Sequence, residues 1–234
     1  MKCYNAAIFD LGMTLIYPPM SGSFLERLEE FGGTAEKKEI RRALSFVDRH
    51  FMNNYPGYIN RDVKEFYTSY ASMVFAYLHI TDIPVKAFSA AMMEKSPPRS
   101  EWRTFADALP CLDKLKEQGN LIGLLTNWDI GARDLLKSMD LYHYFDSIVV
   151  SAEINAEKPE PEGFLQSLKN LNVEPGNALY VGDNFYDDIT GANNVGIRAL
   201  LVERWGNNKY PKGNYERISN LAEVAEFCCK GPNP

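Results

Sequence analysis

Three short apolar runs in this chain end on side chains that carry reactive oxygen. Ala6-Ala7-Ile8-Phe9 runs into Asp10, Leu121-Ile122-Gly123-Leu124-Leu125 into Thr126-Asn127, and Ala178-Leu179-Tyr180-Val181 into Gly182-Asp183. Lys158 and Asp188 lie in nearby connections. Together these types suit attack by a carboxylate on a phosphate monoester. The substrate is a dianion, so such a site needs a divalent cation and fixed positive charge to offset the repulsion. Asp10 with Asp183 suits Mg²⁺, Lys158 supplies the monovalent charge, and Thr126 donates to a phosphoryl oxygen. Hard oxygen ligands with few carboxylates match Mg²⁺ better than zinc. Taken singly, each residue has a plainer reading: Asp10 as a turn cap, Thr126 as a helix cap, Lys158 as a surface lysine.

These groups can meet only if the strands that carry them are parallel neighbours, because strand ends of one parallel sheet face the same side. Beyond Trp102 the pattern is alternating helices and apolar strands, which implies right-handed βαβ units. Helices are expected over 109–118 (stopped by Gly119), 130–139, 164–171, 184–194 and 221–227. Strands are expected over 121–125, 147–150, 178–181 and 197–202. Between residues 21 and 95 the apolar residues instead keep helical spacing, as in Phe24, Leu25, Leu28 and Phe31, then Ile40, Leu44, Val47 and Phe51. Val63, Phe66, Tyr67, Tyr70, Val74 and Leu78 make another stripe, and Phe88, Met92 and Met93 a shorter one. The turn-forming Asn53-Asn54-Tyr55-Pro56-Gly57 separates two helix pairs. Tyr17-Pro18-Pro19 and Ser96-Pro97-Pro98 bracket the whole segment, because proline lacks a donor and biases its predecessor away from helix. The expected architecture is an α/β, Rossmann-like parallel sheet core formed by residues 1–16 and 100–234, with an inserted all-helical cap domain over residues 17–99.

At 234 residues the chain has length for one large domain or two smaller ones, and 45% hydrophobic residues is ordinary for a packed globule. A formal charge of −6 argues against a broad nucleic-acid footprint. Cys3, Cys111, Cys228 and Cys229 have neither paired metal spacing nor the look of a secreted disulfide framework, so reduced thiols in the cytoplasm are expected. No run of eighteen uncharged apolar residues occurs, and the start of the chain has no export signature, so no membrane association is expected. His50, His79 and His143 lack metal-like spacing, and Trp102 and Trp128 are expected to pack. Gly191 and Ala192 are expected to permit close helix-to-sheet approach.

Asp10-Leu11-Gly12-Met13-Thr14, Leu125-Thr126-Asn127, Lys158-Pro159 and Gly182-Asp183-Asn184-Phe185-Tyr186-Asp187-Asp188 resemble the four ordered motifs of the haloacid dehalogenase-like hydrolase superfamily. The helical segment between the first and second motifs resembles the family's C1-type cap. The resemblance implies a Mg²⁺-dependent phosphatase acting on a small phosphorylated metabolite through an aspartyl phosphate. Asp10 would be the nucleophile, Thr126 and Asn127 would bind the phosphoryl group, and Lys158 would stabilise its charge. Asp10, Asp183 and the backbone carbonyl of Gly12 would hold the metal, with Thr14 and Asp188 in support. For the closing acid, the four-residue spacing favours Asp188, with Asp187 as the alternative.

One departure matters. Phosphatases of this family carry a second Asp two residues after the nucleophile, which protonates the leaving group and later activates water. Gly12 stands there, and Met13 replaces a common Gly. General acid–base catalysis typically contributes about 10²- to 10⁴-fold, so reduced activity is expected. The alternatives are a non-catalytic phospholigand-binding or interaction protein, a phosphonate hydrolase using a cap lysine (Lys37, Lys38, Lys64, Lys86 or Lys95), and a 2-haloacid dehalogenase. Asp183 argues against the last.

Overall fold

A computed structural model describes residues 4–18, 20–54, 63–94, 102–204 and 213–228. The chain divides into two compact units, Met1–Tyr17 with Arg103–Pro234, and Pro18–Trp102. The first unit opens with β1 (Ala6–Phe9), followed by the two-residue strand β2 (Ile16–Tyr17). The second unit holds α1 (Met20–Glu30), α2 (Lys37–Asn54), α3 (Val63–Leu78) and α4 (Val85–Glu94), and no strand occurs among its described residues. The chain re-enters the first unit through β3 (Arg103–Thr104), α5 (Ala108–Glu117), β4 (Leu121–Thr126) and α6 (Ala132–Ser138). It continues with β5 (Ser147–Val150), α7 (Ser151–Ile154), α8 (Pro161–Leu171) and β6 (Ala178–Gly182). A π-helical turn (Phe185–Thr190), α9 (Gly191–Asn194), β7 (Arg198–Val202), β8 (Tyr215–Ile218) and α10 (Val224–Phe227) complete it. None of the described helices is long and apolar enough to cross a membrane.

Six strands form one sheet in the order β5-β4-β1-β6-β7-β8, and every pairing in it is parallel. From β1 the chain builds outward on one side through β4 and β5, then returns to the other side of β1 for β6, β7 and β8. The carboxyl end of β1 is thus the place where the winding reverses, where such sheets form a crevice. β1 is buried along its whole length because sheet strands and helices cover it on all sides. One face of the sheet packs Ile8, Leu125, Tyr180 and Leu201 with Phe164, Leu168 and Ile189 of the following helical segments. Each such apolar side chain contributes about 1.5–3 kcal/mol on burial. The second unit has its own core, including Phe24, Leu28, Ile40, Val47, Phe75 and Phe88.

The expected strands and helices of the α/β part are present with shifted ends. α6 starts at Ala132 rather than at residue 130, because the Asp129 carboxylate accepts the Gly131 N–H at 2.7 Å and holds a turn ahead of the helix. The segment expected as one helix over 184–194 begins as the π-helical turn, capped by the Asn184 side chain, which accepts the N–H groups of Tyr186 and Asp187. The close approach at Gly191 is to α8 and its preceding loop rather than to the sheet: a Cβ there would lie 2.6 Å from the Phe164 ring and 3.1 Å from Pro159 Cα. The β2–β3 pair and β8 were not expected; the first is two residues long, and the second is a partly exposed edge strand. The loop Asn53-Asn54-Tyr55-Pro56-Gly57 falls largely outside the described residues, and Ser96-Pro97-Pro98, Pro19, Lys95, Cys3 and Cys229 lie wholly outside them.

Candidate active site

Sheet register fixes the site. Phe9 pairs with Leu124 on one side and with Val181 on the other, so Asp10, Thr126 and Asp183 leave three adjacent strands at nearly the same level. The Asp10 N–H still joins the sheet, donating to the Val181 carbonyl at 2.9 Å. The chain then turns back: Leu15 and Ile16 donate to the Leu11 carbonyl at 2.9 and 3.0 Å, and Met13 donates to Ile16 at 2.7 Å. Met13 takes the left-handed φ of 60°, where glycine is more usual. The turn leaves Thr14 fully buried, with its hydroxyl donating to Asp183 Oδ1 at 3.1 Å.

Lys158 is brought in from the loop after α7, across a cis Lys158–Pro159 peptide. Asn127 locks that loop by a reciprocal pair: its amide donates to the Lys158 carbonyl at 3.0 Å, and its carbonyl accepts the Lys158 N–H at 2.8 Å. The Lys158 ammonium is only 5% exposed as a residue and sits 2.6 Å from both Asp10 Oδ1 and Asp188 Oδ1. It also donates to the Tyr180 hydroxyl at 3.1 Å. That hydroxyl lies 3.0 Å from Asp188 Oδ1 and 3.2 Å from the Leu125 carbonyl. Asp188 is further tied by its Oδ2, which accepts the Asn184 N–H at 3.0 Å. Gly182 is required beside it, since a Cβ there would sit 2.2 Å from Asp188 Oδ2.

The electrostatics are unbalanced toward negative charge. Burial raises the Asp10 carboxyl to about 6, with Lys158 opposing the rise and Asp188 adding to it. Burial also raises Asp183 well above the usual carboxylate range, reinforced by Asp10 and Asp188. Burial works against the Lys158 ammonium, but Asp10 and Asp188 outweigh it and hold the lysine charged well above its ordinary range. A divalent cation relieves this excess, and the donor set fits one: single oxygens of Asp10, Asp183 and Asp188 lie within 4.8 Å of one another. Asp188 is already engaged by Lys158, Tyr180 and Asn184, so Asp10 and Asp183 are the carboxylates with capacity for the ion.

Of the residues singled out from sequence, Asp10, Lys158, Asp183, Asp188 and Thr14 form one hydrogen-bonded and charged cluster. Asn127 joins it through the backbone of Lys158. Thr126 ends the neighbouring strand and is buried. Gly12 lies within the turn after Asp10, and a Cβ on it would meet the Trp128 ring at 3.2 Å. Asp187 stands apart from Lys158, with Oδ2 accepting from the Asn184 amide and Oδ1 buried without a hydrogen-bond partner. No histidine or cysteine joins the carboxylates among the described residues. Sequence reasoning missed Tyr180, although a tyrosine in a strand buried on both faces must find a partner for its hydroxyl.

The family model for haloacid dehalogenase-like hydrolases matches residues 7–202. The chain is 34% identical over 103 residues to glyceraldehyde 3-phosphate phosphatase of Methanopyrus kandleri, covering 44% of each chain. It is 32% identical over 131 residues to phosphoserine phosphatase of Thermus thermophilus, covering 54% of this chain and 51% of that one. The chain therefore spans about half the length of these curated relatives in the matched region. The crystal structure of a HAD phosphatase from Thermococcus onnurineus superposes with a TM-score of 0.60 at 26% identity, covering 97% of both chains. With this family match running from β1 to β7, the chain belongs to the haloacid dehalogenase-like hydrolases.

Proposed function

We propose that the protein is a Mg²⁺-dependent phosphohydrolase acting on a small phosphorylated metabolite, with Asp10 as nucleophile and the helical unit as a cap that selects the substrate. The observation that carries this reading is the buried Lys158 ammonium held 2.6 Å from both Asp10 and Asp188. It fixes positive charge beside a carboxylate whose other oxygen, Oδ2, is then the attacking atom. Asp10 Oδ2 bonds to phosphorus while the ester P–O bond breaks and the leaving oxygen takes a proton from water. Water then attacks the phosphorus of the aspartyl phosphate, the P–O bond to Asp10 breaks, and inorganic phosphate and the free carboxylate are restored. Thr126 and Asn127 orient the phosphoryl group, and Lys158 offsets its charge. Asp10, Asp183 and the Gly12 carbonyl would hold Mg²⁺, which would supply the remaining neutralisation of the phosphoryl charge.

Phosphatase relatives support the reaction class, and their names supply phosphorylated trioses and phosphoserine as first members of a substrate panel. A Schiff-base mechanism fits less well, since burial is what lowers a lysine's pKa for that role. Lys37, Lys38, Lys64 and Lys86 are all exposed. Gly12 favours one second reading, a phospholigand-binding protein that has lost turnover. Phosphate release from the panel with Mg²⁺ separates the two. The expected outcome is turnover that Asp10→Asn reduces at least 10³-fold, in keeping with loss of the nucleophile. Mg²⁺-dependent ligand binding with no turnover would leave the second reading.

A further inference from the structure

Thr14 is gripped at both ends. Its hydroxyl donates to Asp183 Oδ1, and its carbonyl accepts from the Arg204 guanidinium at 2.9 Å. The internal hydrogen bonds of the turn use Leu11, Met13, Leu15 and Ile16, so the Thr14 carbonyl is held from outside the turn. Arg204 lies two residues past the end of β7, the strand on the far side of β6 from β1.

The guanidinium itself is fixed. Nη1 and Nη2 form a two-pronged pair with the Asp107 carboxylate at 2.9 and 3.0 Å, a geometry that sets the plane of the fork. Asp107 also accepts the Leu221 N–H at 2.9 Å. Although burial would raise the Asp107 carboxyl, Arg204 and this N–H outweigh it and hold the carboxyl below the usual range. The guanidinium lies 3.8 Å from the centre of the Phe105 ring, which in turn packs at a 35° tilt against Tyr17 with the ring centres 4.6 Å apart. Asp107 and Phe105 thus fix the guanidinium and aim one N–H at one carbonyl. That carbonyl sits in a turn containing Met13 at φ 60°, a conformation that persists only where its surroundings over-determine it.

We propose that Arg204, oriented by Asp107, is a positioning residue for the cation site: it holds Thr14 so that the Thr14 hydroxyl keeps Asp183 aimed at the ion. The assignment rests on reading Asp183 as a Mg²⁺ ligand. Partners that orient metal ligands typically matter by 10- to 100-fold in metal affinity. Lysine cannot replace the arginine fully, because it lacks the planar fork.

The test is Mg²⁺ affinity of the full chain by titration calorimetry, with thermal unfolding recorded beside it. Arg204→Gln is expected to weaken Mg²⁺ binding at least tenfold, Arg204→Lys by a smaller factor, and Thr14→Val by a factor similar to Arg204→Gln. The double variant Arg204→Gln/Thr14→Val should bind no more weakly than Thr14→Val alone, since both act on one hydroxyl. Lys116→Gln, which breaks an exposed pair with Asp146, should leave affinity unchanged. Folded Arg204 variants that lose thermal stability but keep wild-type Mg²⁺ affinity would overturn the assignment alone. If Arg204→Gln does not fold, Arg204→Lys decides in the same way. A wild-type protein with no Mg²⁺ affinity would overturn the cation site itself and the assignment with it.

Discussion

At Gly12 a missing group and a neighbouring ring have to be considered together. The protonated carboxyl of an Asp at this position would donate its proton to the leaving oxygen, and without it the rate should depend steeply on how readily that oxygen departs unaided. Aryl and acyl phosphates, which leave with little help, should be cleaved at least tenfold faster than sugar phosphates. Gly12→Asp should narrow that gap, but a Cβ there meets the Trp128 ring at 3.2 Å, so the indole must give by a few tenths of an ångström. Trp128 backbone is pinned by Ser151, whose hydroxyl accepts the Trp128 N–H at 3.0 Å. Gly12→Asp combined with Trp128→Phe should therefore restore alkyl phosphate turnover better than Gly12→Asp alone. Equal wild-type rates on aryl and alkyl phosphates, with chemistry rate-limiting, would mean that another acid already serves.

At the scale of elements, the site is held by contacts that tolerate little change. The loop carrying Lys158 is pinned by Asn127 at one end of β4, and the π-helical turn carrying Asp188 is pressed against Gly182 at the end of β6. Gly182→Ala would drive a methyl to 2.2 Å from Asp188 Oδ2 and force that carboxylate off Lys158. Overpacking alone costs about 1–3 kcal/mol, and separating a buried pair adds about 3 kcal/mol or more. Denaturant unfolding should report a loss of at least about 3 kcal/mol together with loss of phosphatase activity. Gly191→Ala meets the fully buried Phe164 ring at 2.6 Å and the Pro159 backbone at 3.1 Å, so it should also destabilise, but by overpacking alone, with no ion pair separated. These elements were legible in sequence where an apolar run stopped at a polar residue, because burial and strand length write that pattern directly. The π-helical turn was not, since its backbone spacing leaves the same apolar residues as an α-helix. The Arg204–Asp107–Thr14 connection was equally hidden: 97 residues separate Arg204 from Asp107 and 190 separate it from Thr14, and only the fold brings them together.

Across the whole molecule, titratable groups are buried in both units, and they can be separated by measuring differences between variants. In the helical unit the Tyr70 hydroxyl donates to Asp48 Oδ1 at 2.6 Å. Burial raises the Asp48 carboxyl from 3.8 to about 6, with the Tyr70 hydrogen bond opposing. The folded chain therefore binds the Asp48 proton more tightly than the unfolded chain between those values, and stability falls as pH rises through that window. Below 3.8 both states are protonated and the penalty vanishes; above 6 it is complete, at about 2–3 kcal/mol. Asp10 and Asp183 act in the same direction in the other unit, so the wild-type pH profile alone does not isolate Asp48. Asp48→Asn removes its charge while keeping an oxygen for Tyr70. Thermal unfolding at pH 7.5 should give the variant a Tm higher by about 5–10 °C, shrinking to little or nothing at pH 4. A difference of the same size at both pH values would trace the effect to packing rather than to the buried charge.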